Sequence, residues 1–386
     1  MILEYTTEQQ AFRAEVRSWM EANVPKSRLP SFDLTREGFE AHREWERALN
    51  EGKWGMVTWP EAYGGRALDL IRWLIFEEEY YRAAAPTRVN QNGIFLLGPT
   101  VMEFGNDEQK ARILTRMAAG DDIWAQAWSE PGAGSDLAAV RSTCTREGDE
   151  YVLNGQKIWS SRASFADWAF GLFREPGTER HKGMSLILFP LDAPGVTRRP
   201  IARMDGELVF AEIFLDNVRV PVADRLGDEG QGWHVCMATA GFERGLMLRS
   251  PARYQVAAQK LIALYEANKA HLPASIGERV AQHWMDAEAY ALSIYSTASR
   301  LEAGGKIGPE SSTNKIFWSE MDVAMHQTAL DILGPRAELL GQHSDGVSTV
   351  DWLDGFIFAL SGPIYAGSNE IQRNIIAERM LGLPRA

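Results

Sequence analysis

The stretch from about Trp124 to Val222 constrains the fold of this chain more than any other feature. Short β-branched and aromatic runs alternate there with Gly, Pro, Asp and Asn: EYVLNGQKIWS, DWAFGLFRE, MSLILFPLD and LVFAEIFLDNVRV. That texture predicts short strands joined by turns, consistent with a small β-barrel or sandwich. On either side the period changes. From Thr6 to about Gly120 the pattern is helical, with Phe12, Val16, Trp19 and Met20 at helix spacing. TTEQQAFRAEVRSWMEANV reads as an amphipathic helix capped at about Thr6. GPTVMEFGNDEQKARILTRMAAG reads as two helices parted by a turn at Gly105-Asn106, and WPEAYGG between them as a loop. After a break over 221–232 the helical pattern returns and continues to the end, with lengths that suit long antiparallel helices. The predicted class is α+β multidomain. It has an N-terminal α-helical domain over 1–122, a central β domain over 123–231 and a C-terminal helical bundle over 232–386.

Composition narrows the function. A chain of 386 residues, 45% of them hydrophobic, has room for two or three domains, each with a core. A formal net charge of −12 argues against nucleic-acid and anionic-membrane partners, either of which needs a basic face. A local basic pocket for an acidic substrate remains compatible with it. The two cysteines, Cys144 and Cys236, have no metal-like spacing and predict a reduced compartment without disulfides. There is no secretory apolar segment at the N-terminus, and no apolar run approaches the roughly 20 residues of a membrane span. A soluble, cytoplasmic protein is expected.

Two stretches carry chemistry. The first, from Trp124 to Ser161, contains SEPGAGSDLAAV and then YVLNGQKIWSS; the second, from Gly362 to Arg385, is GPIYAGSNEIQRNIIAERMLGLPR. Gly132, Gly134 and Ser135 form a loop whose backbone N–H groups can approach a phosphate closely, because glycine has no Cβ in the way. Alone, GAGSD is no dinucleotide fingerprint, lacking the strand–glycine–helix context. Together the two stretches resemble the acyl-CoA dehydrogenase family of flavoenzymes, over nearly the whole chain. The resemblance implies a helical domain, a β domain and a C-terminal four-helix bundle, with FAD as cofactor, an acyl-CoA as substrate and an electron-transferring flavoprotein as partner. It also implies a homotetramer or homodimer, or a heterotetramer with a related chain.

By the same resemblance Ser129 hydrogen-bonds the flavin ring, and the backbone near Gln126 and Trp128 faces its pyrimidine edge. Trp159 packs on the flavin, and Ser161 stands where the family often has a threonine near N5. Gly134 and Ser135 belong to the phosphate loop, and Ser368, Asn369, Glu370 and Gln372 match further flavin contacts. Lys269, in ANKAHLP, replaces an arginine that in relatives reaches the flavin pyrophosphate of a neighbouring subunit. It supplies charge but no bidentate fork. DILGPRA has Asp331 and Pro335 where relatives carry glutamine and glycine.

One position departs from the best-known members. Their catalytic glutamate precedes the glycine of the second stretch, and Ala366 stands there. The family's reaction removes a proton next to a thioester carbonyl, which calls for a placed carboxylate and donors to the enolate oxygen. Ala366 keeps a backbone N–H but has no carboxylate. Some relatives place the glutamate on the first long helix of the bundle, where this chain has GFERGLM. Helical spacing sets Cys236, Ala240, Glu243 and Met247 on one mostly apolar stripe, so a carboxylate at Glu243 is desolvated and its pKa raised, as suits a base. Arg244, about 100° around the helix, is not its natural partner. Asp351 and Asp354 are expected in a loop before the last helix, without a reason to point inward. Gly241 and Gly245 suggest close approach of a neighbouring helix.

Relatives with the base on the earlier helix take branched or bulky acyl groups, including steroid side-chain thioesters, and that substrate class is the expectation. Two other readings stand beside it. A non-catalytic subunit of a heteromeric dehydrogenase agrees with Ala366, Lys269 and Asp331. A relative with altered chemistry, such as a nitroalkane oxidase or flavin monooxygenase, is the third.

Overall fold

The computed structural model describes residues 4–243, 250–339 and 350–384. In chain order the helices are α1 (Thr7–Asn23), α2 (Arg36–Glu51), α3 (Leu70–Arg82), α4 (Gly98–Phe104), α5 (Asp107–Gln109), α6 (Thr115–Ala118), α7 (Gly232–Glu243), α8 (Pro251–Asn268), α9 (Ala274–Glu302), α10 (Ser311–Leu333), α11 (Val350–Ala359) and α12 (Asn369–Ile375). The strands are β1 (Trp124–Ala127), β2 (Thr143–Glu147), β3 (Glu150–Ser161), β4 (Trp168–Arg174), β5 (Met184–Pro190), β6 (Val196–Ile201), β7 (Phe210–Pro221) and β8 (Arg225–Leu226). The helix–sheet–helix order follows the sequence pattern, and the short strand β8 lies inside the segment expected to be a break.

By contact density the chain forms two compact units. The first comprises Asn23–Leu68 and Pro86–Glu243 and holds every strand. Its mixed sheet runs β6-β7-β3-β2-β4-β5-β8, with β1 added parallel to β4 from Trp124↔Trp168 to Ala127↔Gly171. Five consecutive residues of β4 and six of β5 are buried, so both faces of these strands are covered and their sequences read as unbroken apolar runs. One cluster of buried side chains draws on β1 to β5 and β7, including Leu153, Phe173, Phe189 and Ile213. α4 and α5 are parted by the expected turn, where Asn106 and Gln109 form a reciprocal capping box.

α7 starts against the sheet. A Cβ at Gly232 would lie 2.5–2.7 Å from the backbone of Ser185 and Leu186, so only glycine lets the helix begin this close to β5. Val235, Cys236 and Thr239 form its buried face, and the Thr239 hydroxyl meets that of Thr100 at 2.9 Å. Gly241 differs from expectation: a Cβ there meets no described atom within 4 Å, so helix crowding does not account for it. Gly245 lies outside the described residues.

The second unit comprises Met1–Ala22, Asp69–Ala85 and Arg244–Ala386. Thr6 and Gln9 cap α1 reciprocally, Gln9 N–H donating to Thr6 Oγ1 at 3.2 Å and Thr6 N–H to Gln9 Oε1 at 2.9 Å. Phe12, Val16 and Met20 are buried, while Arg17 grips the buried Glu79 of α3 through two hydrogen bonds of 2.9 and 2.8 Å. α3 packs against α8 and α9, which pack with α10 into the bundle. Asp351 and Asp354 are residues of α11, not of a loop. Their spacing of three matches a helix whose intervening positions are apolar, and the loop reading overlooked that period.

Candidate active site

In the first unit the candidate residues cluster where β1 ends and β3 bends. Gln126 is half-buried on β1, Trp128 is buried just beyond it, and the Ser129 carbonyl accepts the Ile158 N–H at 2.9 Å. The next residues make a stapled turn, with Glu130 and Ala133 exchanging backbone hydrogen bonds of 2.9 and 3.0 Å. Gly132, Gly134 and Ser135 are exposed on this turn, and a Cβ on either glycine meets no described atom within 4 Å. The turn therefore offers open, side-chain-free backbone.

Opposite it, β3 breaks register with β7 between Lys157 and Ser160. The break throws Trp159 outward, with φ at 60° and the side chain 56% exposed. An aromatic in the left-handed region is uncommon and costs on the order of 1–3 kcal/mol. Among the described residues its ring meets Phe210, edge-on at 5.9 Å. Ser160 is buried and Ser161 half-buried beside it.

Beneath the turn lies a charged pair that motif reading missed, although both members stand within the quoted motifs. Lys157 is completely buried and donates to Glu130 Oε1 at 2.8 Å and to the Leu172 carbonyl at 2.5 Å. The Glu130 carboxylate also accepts the N–H of Arg141 at 2.6 Å and of Ser142 at 2.9 Å. Burial pushes the Glu130 pKa upward, but Lys157 and these donors outweigh it and hold the carboxyl below its ordinary range. The pair fixes the turn to β3 and β4.

The second unit carries the C-terminal motif. Ala366 and Gly367 are both left-handed, with φ of 57° and 75°. The Gln372 side chain donates to both of their carbonyls, at 3.2 and 3.1 Å, which locks the turn. The Ala366 N–H has no backbone acceptor among the described residues. Ser368 caps α12 by accepting the Ile371 N–H at 3.4 Å, and Asn369 is buried, accepting from Lys315 at 2.7 Å. Glu370 is exposed, and its own N–H together with the Ser368 hydroxyl lowers its pKa. Lys269 sits in the turn after α8, exposed, with its ammonium on Glu266 at 2.5 Å. Asp331 pairs with Arg279 at 2.7 Å. Glu243 is the last residue of α7; its side chain, like Arg244 and Met247, lies outside the described residues.

Three acyl-CoA dehydrogenase family models match the chain in succession: the N-terminal domain over residues 6–121, the middle domain over 125–218 and the C-terminal domain over 230–381. The chain belongs to the acyl-CoA dehydrogenase family. It is 38% identical over 384 residues to acyl-CoA dehydrogenase IpdE1 of Mycobacterium tuberculosis, covering 97% of each chain. Among solved structures it is similar to the Tcur3481-Tcur3483 steroid ACAD, with a TM-score of 0.87, 27% identity and full coverage of both chains. It is also similar to the ChsE4-ChsE5 complex from M. tuberculosis, with a TM-score of 0.85, 31% identity and full coverage. As a family member this chain is an oxidoreductase of CH–CH bonds with FAD as cofactor. Among the described residues no helix is long and apolar enough to cross a membrane.

The residues present fit FAD. Trp159 offers an exposed ring, and Gly132 and Gly134 offer exposed backbone without side chains. The Trp128 Nε1 and Ser160 Oγ atoms are buried without a hydrogen-bond partner among the described residues.

Proposed function

We propose that this acyl-CoA dehydrogenase acts on a branched or bulky, ring-bearing acyl group, with Glu243 as its base and an electron-transferring flavoprotein as electron acceptor. The observation that carries the reading is the state of position 366. Ala366 retains a backbone donor in a turn locked by Gln372 but supplies no carboxylate. The base must then come from elsewhere. By the helical spacing of the sequence, Glu243 falls on the stripe of Cys236 and Ala240.

In this reading Ser129, Gly134, Ser135, Trp159, Ser161, Ser368 and Glu370 hold FAD, together with the backbone near Gln126 and Trp128. When bound, FAD supplies the acceptor for the β-hydrogen as hydride. The chain's own residues do the rest. The Ala366 N–H donates to the thioester carbonyl oxygen and stabilises charge that grows there as the α-proton leaves. Glu243 takes that proton. The short side chain at 366 leaves space beside the α-carbon, which admits a branch, and the subgroup of the chain's relatives supports a bulky substrate. The likeness to a structure named as a steroid ACAD, Tcur3481-Tcur3483, points the same way.

Glu243→Gln is expected to slow anaerobic flavin bleaching by a bulky acyl-CoA by about 10²–10⁴-fold at unchanged FAD content. Unchanged bleaching overturns the assignment. Preference for butanoyl-CoA over an α-methyl acyl-CoA removes the substrate class.

A second reading is a subunit that works only with a related chain. It is favoured by Lys269, which lacks an arginine's fork and already carries Glu266, and by two similar structures named as two-chain assemblies. A colourless purified chain that gains flavin only with a partner chain supports it; a yellow chain that bleaches alone removes it.

A further inference from the structure

A buried cation in the second unit has no part in the chemistry above. Arg253, near the start of α8, has a side chain only 27% exposed. Its guanidinium donates once, from Nη2 to Asp322 Oδ2 at 3.1 Å, and Asp322 is itself almost fully buried on α10. Among the described residues it also lies over aromatic rings. The guanidinium carbon lies 5.5 Å from the ring centres of both Tyr254 and Phe358. Tyr81 and Tyr365 are near enough to act on it electrostatically. Phe358 leads to Tyr365, with ring centroids 6.5 Å apart, and Tyr365 directly precedes Ala366. Arg253 thus stands one aromatic ring from the residue beside the thioester donor.

An arginine has five N–H donors. One is used among the described residues, and none of the guanidinium nitrogens is among the sealed, partnerless atoms there, so part of the fork is open to a ligand. A pocket for a plain hydrocarbon chain gains nothing from this: desolvating a guanidinium costs several kcal/mol, and unmet donors add to it. A bulky acyl group that carries an oxygen uses the fork. Asp322 cancels the arginine's charge, so a carboxylate entering here would meet a carboxylate. An uncharged acceptor does not.

Building on the proposed dehydrogenase reading, we propose that Arg253 is a specificity-determining residue that donates to a neutral oxygen, a ketone carbonyl, on the acyl group beyond the β-carbon. Asp322 holds the guanidinium in place. The bland alternative is a strut between α8 and α10, and it makes no distinction between substrates.

The test is equilibrium binding, by calorimetry, of two acyl-CoA thioesters with the same ring skeleton, one bearing a ring ketone and one with CH₂ in its place. FAD-loaded Glu243→Gln protein is used and its flavin spectrum is followed; if it bleaches, the base lies elsewhere, and the same comparison is made with the corresponding 2-enoyl thioesters, which are already dehydrogenated. The oxo thioester is expected to bind tighter on the order of tenfold to a hundredfold. In Arg253→Met, also in the Glu243→Gln background, that ratio should fall to near one while the hydrocarbon analogue binds as before. Equal binding of the two thioesters by the Arg253 protein overturns the proposal. So does a preference that survives in Arg253→Met, or an equal loss for both ligands.

Discussion

Lys157→Met tests the physical account of the Glu130–Ala133 turn most directly. The substitution keeps the stem and removes a fully buried ammonium, leaving the Glu130 carboxylate, 8% exposed, with two backbone N–H donors and no countercharge. The Leu172 carbonyl also loses its 2.5 Å donor. Breaking a buried pair by removing one partner costs about 3–5 kcal/mol, because the remaining charge is uncompensated. The loss should depend on pH. In the wild type the Glu130 pKa is depressed, so the stability it contributes is complete above the ordinary carboxyl value and is lost as pH falls through the lower folded one. Without Lys157 only the two backbone donors oppose burial, so that pKa rises from its depressed value and acid relieves the variant by protonating Glu130. The gap between wild type and variant is therefore widest near neutral pH and narrows in acid. Urea unfolding followed by circular dichroism at pH 7 and pH 4.5 measures it, and Glu130→Gln/Lys157→Met should regain part of the loss. A gap below about 1 kcal/mol, or one independent of pH, refutes the reasoning.

Two further outcomes follow from the first unit. Burial, only partly offset by Arg162, raises the Asp33 pKa to about 6, so its stabilisation is complete below the ordinary carboxyl value and lost as pH rises through about 6. Asp33→Asn should gain about 3 kcal/mol on the wild type at pH 7 and little at pH 4 in thermal or urea melts, and a pH-independent difference contradicts this. Trp159→Ala, removing an exposed ring, should change the apoprotein's stability by less than about 1 kcal/mol. It should also sharply lower the ratio of flavin to protein absorbance after purification; full flavin occupancy refutes the role given to Trp159.

Local rules made much of this molecule legible. The Thr6–Gln9 cap, the Gly105-Asn106 turn and the alternation through 124–222 are statements about neighbours in sequence, and the chain obeys them. What escaped were contacts between distant residues. Lys157 meets Glu130 across 27 positions and Arg253 meets Asp322 across 69, and no periodicity signals either pairing. Nor does a tryptophan announce a left-handed backbone, since that conformation is normally flagged by glycine or asparagine. α11 was hidden for another reason: its ten residues are too few for the helical period to stand out against a loop. The Gly241 expectation failed because a glycine in a helix has more explanations than packing.

The left-handed tryptophan also bears on attempts to harden this enzyme. Glycine or asparagine at 159 would relax the backbone, and a selection for heat resistance alone would reward either one. Both discard the indole. Thermostability campaigns on this scaffold should therefore freeze position 159 and score colour alongside melting temperature, since on the role proposed for Trp159 the sturdier variant is the emptier one.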